Sequence, residues 1–163
     1  MKSFGNNYAF IDSQNVQQGI KDQGWKLDWK KFRIYLRDQY KVTHAYLFIG
    51  HLPQNSYLYT KLQRQGYILI FKPILDTAAG VIKGNVDADL VLQAMIEYPE
   101  YDKAVIVSSD GDFYSLVKYL KDQGKLELVL SPHQGNCSVL LRKSAKERIR
   151  FMNNLNIKLA KAS

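Results

Sequence analysis

Five short apolar runs, separated by stretches whose apolar residues recur at helical spacing, constrain the fold of this chain more than any other feature. Residues 8–11, 43–49, 67–71, 104–107 and 126–130 are rich in aliphatic, aromatic and β-branched side chains, the composition of strands buried on both faces. Between them the period changes. Trp29, Phe32 and Leu36 follow Asp28, a suitable N-cap, and 57–65 and 86–98 carry apolar residues at helical spacing. Phe113, Leu116, Val117 and Leu120 mark one helical face before Gly124 ends it. Strands that alternate with helices pair in parallel, because each crossover carries a helix back over the sheet. The expected fold class is therefore α/β, three layers, with a central parallel sheet of about five strands. Residues 12–28 read as a loop ahead of the first helix, 76–85 with two glycines as another loop, and 139–160 as one basic C-terminal helix.

A chain of 163 residues can bury roughly 70% of its unfolded surface in one core, so a single domain over 1–163 is expected. No proline-rich linker, repeat or low-complexity segment divides it. Hydrophobic residues make up 46% and charged residues 23%, and no apolar run approaches the roughly 20 residues of a membrane span. The first residues lack an apolar targeting core, and Cys137 alone forms no internal disulfide. These features give the expectation of a cytoplasmic protein with no membrane partner. The net charge of +8 is uneven: from Arg142 to Ser163 seven Lys or Arg face one acid, Glu147, a local +6. That end fits a polyanion-binding surface, and equally a solvated helix whose Ile149, Met152 and Leu155 pack on the domain.

In an open parallel sheet, the loops at the carboxyl ends of strands carry the site. Here they carry aspartates. The first strand runs into Asp12 and Asn15, the fourth into Ser108-Ser109-Asp110-Gly111-Asp112, and the helix between the third and fourth opens with Asp87 and Asp89. Each acid has a bland explanation. Asp12 and Asp110 stand where a carboxylate caps a helix for about 1 kcal/mol, and Asp89 sits where an acid complements a helix dipole. Capping explains the set less well, because carboxylates close together repel by a few kcal/mol per pair at an effective dielectric near 20. A divalent cation relieves that repulsion, and hard oxygen donors suit Mg²⁺ or Mn²⁺ rather than structural zinc. Asp87 shares a face with Leu90, Val91 and Ala94, so it points inward if that stripe packs on the sheet. Lys83-Gly84 offers a cation and a flexible backbone for a phosphate. Ser108 and Ser109 suit either a phosphate or a helix cap.

Other polar residues are less informative. His44, His51 and His133 have no metal-ligand spacing to one another, and Cys137 has no base near it in sequence. Tyr57, Tyr59, Lys61 and Arg64 interleave aromatic and basic groups, a pattern shared by nucleic-acid surfaces and ordinary amphipathic helices.

Three blocks, Phe10-Ile11-Asp12-x-x-Asn15, Lys83-Gly84-x-x-Asp87 and Ser109-Asp110-Gly111-Asp112-Phe113, resemble in order the signature blocks of NYN domains, especially their LabA-like branch, within the PIN-like nuclease superfamily. The resemblance spans roughly residues 7–145. It implies a Rossmann-like fold and an acidic pocket in which Asp12, Asp87, Asp110 and Asp112 bind Mg²⁺ or Mn²⁺ and serve catalysis. It further implies that Asn15, Lys83 and Ser109 contact the substrate, and that RNA, expected to be single-stranded, is the partner hydrolysed. Two positions depart from the pattern: Gln93 stands where many relatives carry an acid, and Lys146-Glu147-Arg148 where they carry a late one. These departures keep a second reading open, a non-catalytic RNA-binding or regulatory module on the same fold. A homodimer is also left open. Phosphotransfer folds fit less well, since Asp12-Ser13-Gln14 lacks the second acid of a haloacid-type phosphatase and Phe71-Lys72-Pro73 lacks the phosphoacceptor of a receiver domain.

Overall fold

The computed structural model describes residues 5–77, 79–83 and 86–162, the side chains of 75–77 and 81–83 excepted. In chain order the elements are β1 (Asn7–Asp12), α1 (Ser13–Lys21), α2 (Trp29–Tyr40), β2 (Val42–Gly50), α3 (Ser56–Arg64), β3 (Tyr67–Lys72), β4 (Ile74–Thr77) and β5 (Gly80–Lys83). There follow α4 (Val86–Ile96), β6 (Ala104–Val107), α5 (Tyr114–Asp122), β7 (Leu126–Ser131), α6 (Val139–Ala145), β8 (Ile149–Phe151) and α7 (Asn156–Leu159). Six strands make one sheet in the order β3-β2-β1-β6-β7-β8, every neighbouring pair parallel. The chain builds outward from β1 to one edge and then restarts at β6 on the other side. The topological switch point, where open α/β sheets bind ligands, thus lies between β1 and β6.

Strand alternation sorts the core into two halves. Ala9, Ile11, Val105, Val107, Leu128 and Leu130 face Val16 and Ile20 of α1, Phe32 and Leu36 of α2, and Leu159 of α7. Phe10, Ile106 and Val129 face the other way, onto Leu90 and Ala94 of α4, Leu116 and Leu120 of α5, and Leu141 of α6. A residue such as Phe10, wholly excluded from solvent, contributes about 1.5–3 kcal/mol by burial. The fold is the expected three-layer α/β, with six strands in place of about five. No helix among the described residues is long and apolar enough to cross a membrane.

Three local expectations are corrected. Residues 12–28 are not all loop, for Ser13–Lys21 form α1. Its buried face holds only Val16 and Ile20 as large residues, too few to show a period among glutamines. Residues 76–85 are likewise not simply loop: β4 and β5 pair antiparallel from Ile74↔Lys83 to Thr77↔Gly80, with Gly80 at φ +125° beside the turn. The basic helix expected over 139–160 stops at Ala145, where Lys146 takes φ 53°. The chain then forms β8, which extends the sheet beside β7, and ends in the short α7. The Ile149, Met152, Leu155 spacing arises from a strand running into a turn, and three residues are too few to separate period two from period three.

Candidate metal centre

Phe10 faces the α4 layer, and Asp12, two residues on, projects to the same side at the strand's end. Its carboxylate caps α1, accepting the Asn15 N–H at 3.3 Å, and is 7% exposed. Past β6 the backbone turns tightly. The Ser108 hydroxyl accepts the Asp110 N–H at 3.1 Å, and the Asp110 carboxylate accepts the Asp112 N–H at 2.9 Å. These bonds start a 3₁₀ turn over Gly111–Phe113 that leads into α5. Gly111 is needed there because a Cβ would collide with Ser138, at the start of α6. Asp87, in the first turn of α4, lies three residues before the fully buried Leu90 and so points toward the sheet.

Carboxylate oxygens of Asp12, Asp87 and Asp110 come within 4.8 Å of one another. At that separation each ionised pair repels by roughly 3 kcal/mol at an effective dielectric near 20. The Asp87 carboxyl is pushed up to about 6 by partial burial, by the charge of Asp110, by a hydrogen bond with Asp112, and by the charges of Asp12 and Asp112. Burial also raises Asp12; the Asn15 N–H opposes the rise, Asp110 adds to it and Lys72 opposes it. Three oxygen donors from separate elements match what a hard divalent cation requires, and among the described residues no nitrogen or sulphur donor joins them.

The three acids line an open cleft of about 390 Å³ with Gln14, Asn15, Gln18, Lys72 and Val86. Lys72 ends β3, and its Nζ donates to Gln14 Oε1 at 3.4 Å. This cation goes unnoticed in the sequence because Phe71-Lys72-Pro73 attracts interest only as a place for an acid. The rule that finds the aspartates at strand ends also finds Lys72.

The remaining expected residues fall at different depths. Asn15 lines the cleft, and its Oδ1 accepts the Ser109 N–H at 2.8 Å, tying α1 to the loop after β6. The Ser109 hydroxyl is buried against that of Ser131 at 2.7 Å. Asp112 is exposed, lies outside the group of three and reaches it through Asp87. Lys83 ends β5, but its side chain and Gly84 lie outside the described residues. Asp89 is not among the clustered acids. Gln93 donates to Glu97, just past the end of α4, at 3.0 Å, and Glu147 pairs with Lys121 at 2.9 Å; neither departure from the family pattern lines the cleft. His44 packs on Tyr8, His51 on Tyr59 and Phe71, and His133 accepts the Asn136 N–H, all away from the acids.

Comparison with known proteins agrees with this geometry. The sequence model of the NYN domain matches residues 8–153. The low amplitude and bright protein LabA of Synechococcus elongatus is 26% identical over 122 residues, covering 69% of this chain and 66% of the relative. The chain thus spans just under two thirds of that protein's length. A crystal structure of a Vibrio parahaemolyticus protein of unknown function superposes with a TM-score of 0.76 at 22% identity, over 94% of this chain and 98% of that one, and shares the fold. With Asp12, Asp87 and Asp110 gathered at the switch point of such a sheet, the chain belongs to the NYN domain family, on its LabA-like branch within the PIN-like nuclease superfamily.

Proposed function

We propose that the protein is a metal-dependent ribonuclease of the cytoplasm that hydrolyses phosphodiester bonds of single-stranded RNA in the acidic cleft. The observation that carries this reading is the convergence of three carboxylates, from three separate elements, beside the switch point of the sheet. Asp12, Asp87 and Asp110 would hold Mg²⁺ or Mn²⁺. When bound, such an ion neutralises phosphate charge and acidifies water. Asp12, anchored at the start of α1, fixes one side of the centre, and Asp110, held by its own turn, fixes the other. Asp112 orients Asp87 through their hydrogen bond and is kept as a further ligand. Lys72, and Lys83 from the hairpin, offset the charge that develops on the phosphate. Asn15 and the Ser109 backbone hold the two loops at a fixed separation.

The test is incubation of end-labelled single-stranded RNA with the protein in Mn²⁺, in Mg²⁺ and in EDTA, with Asp110→Asn alongside to exclude a contaminating ribonuclease. Cleavage that requires metal and falls at least about a hundredfold in the variant, as loss of several kcal/mol of transition-state stabilisation demands, supports the reading. RNA retained but uncut in either metal would replace it with a non-catalytic RNA-binding module.

A further inference from the structure

Beside the acidic cleft lies a second depression of about 250 Å³. Phe48 near the end of β2, Leu52 after that strand and Val86 at the start of α4 give it apolar walls, while Gln14 and Gln17 from the exposed face of α1 and Lys72 from β3 give it a polar edge. Gln14, Lys72 and Val86 line both depressions, so the two are continuous. Lys72 stands at their junction.

We propose that this second depression is a nucleobase subsite, occupied by the base of the nucleotide whose phosphate lies between Lys72 and the acidic centre. The inference rests on the ribonuclease reading for the place of that phosphate. The occupant follows from the walls. A base presents apolar faces and a polar edge, and so does this space. Its volume falls below the range of about 300–1,000 Å³ typical of sites for larger ligands. A carboxamide carries a donor and an acceptor side by side, the arrangement by which Gln reads a base edge. With its oxygen accepting from Lys72, Gln14 has its –NH₂ to donate, and the Gln17 side chain makes no hydrogen bond among the described residues. An apolar side chain or a lipid tail would leave the Gln14 –NH₂ and the Gln17 carboxamide without a partner. Lys72 then binds phosphate as a point charge next to the base rather than serving only to balance Asp12.

The experiment is calorimetric titration of the four nucleoside 5′-monophosphates and of ribose 5-phosphate, with and without Mn²⁺. It uses the wild type, Gln17→Ala, Leu52→Trp to fill the depression, and Tyr57→Ala, on the exposed face of α3 and not part of the lining, as an aromatic control. One or more nucleotides should bind about tenfold tighter than ribose 5-phosphate, Leu52→Trp should remove that margin, and Gln17→Ala should shrink the differences between bases. Tyr57→Ala should change nothing. Equal binding of nucleotides and ribose 5-phosphate, a margin that survives both Leu52→Trp and Gln17→Ala, or one that disappears in Tyr57→Ala, would overturn the subsite. The two readings fail separately: a protein that cleaves RNA with no base-dependent margin keeps the nuclease and loses the subsite. One that shows the margin and cleaves nothing keeps the subsite and loses the nuclease.

Discussion

The rim at the ends of β1 and β6 and the cation-rich stretch from Arg142 to Lys161 handle charge in contrasting ways. At the rim three carboxylates approach to within 4.8 Å, with Lys72 in the same cleft. Along the C-terminal stretch the arginines are occupied by main chain: Arg142 donates to the Gln134 carbonyl at 2.6 Å, Arg148 to that of Glu127 at 3.1 Å and Arg150 to that of Glu147 at 3.0 Å. Arg142 also lies over the Phe151 ring, 5.2 Å from its centroid. The formal charge of this stretch is large, yet much of its hydrogen-bonding capacity stabilises β7, β8 and the turns around them. The rim has little net charge by comparison and concentrates it where like charges cost stability. Concentration against repulsion, rather than the size of a charge excess, is the better guide to a site.

Metal binding should give the largest separation between the two regions. Mn²⁺ at a hundredfold above its Kd should stabilise the fold by about 2.7 kcal/mol, a rise in Tm of roughly 5–10 °C for a chain of this size. Differential scanning fluorimetry should show the rise in the wild type and in Arg148→Ala, and none in Asp110→Asn. An equal rise in Asp110→Asn would move the ion away from the rim.

Arg148→Ala should cost about 1–2 kcal/mol of stability in a urea titration, because its hydrogen bond to a partly buried carbonyl is lost. RNA cleavage measured well below the unfolding midpoint should stay within about threefold of wild type, since the replacement leaves the carboxylate centre intact. A cleavage loss comparable to that of Asp110→Asn would turn the C-terminal stretch from scaffold into RNA surface and break the contrast.

The smallest effect has a sign that is easy to mistake. The Asp87 carboxyl titrates near 6 in the fold and near 4 in the unfolded chain. Between those values the folded protein binds more protons, so stability without metal falls as pH rises through that window. Asp87→Asn should therefore stabilise the metal-free protein at pH 7 by on the order of 1 kcal/mol, a figure already reduced for solvent screening, and by nothing at pH 4. In the wild type, Mn²⁺ stabilisation should be weak at pH 5 and approach its plateau only about one pH unit above the Asp87 value, near pH 7, because protons compete for the same oxygens. A metal effect of equal size at pH 5 and 7 would exclude Asp87 from the centre.

Much of this was legible in the residues themselves. Buried parallel strands are continuous apolar runs, so 8–11 and 104–107 could be found, and with them Asp12 and Asp110 at their ends. Asp28 announced α2, and its carboxylate accepts the Lys31 N–H at 3.1 Å. Elements whose apolar content is too small to carry a period stayed hidden: α1 with Val16 and Ile20, the four-residue strands of the hairpin, and the three residues of β8. Lys72 was within reach of the strand-end rule, but its place beside the acids was not. That place depends on β3 ending two strands from β1 on the same rim, and strand order is set by packing among distant segments. The approach of Gln17 to Leu52 and Val86 is likewise a product of tertiary packing.

The bond from the Ser109 amide to Asn15 has a consequence in time as well as in space. That amide donates to a side chain of α1 and not to the ladder of the sheet, so its proton is released only when α1 and the loop after β6 part. Deuterium uptake at Ser109 thus reads how often the centre springs open, while the amides of Phe10 and Ile106, locked in the middle of the sheet, read the unfolding of the whole molecule. A metal ion that clasps Asp12 and Asp110 together would slow the first clock far more than the second.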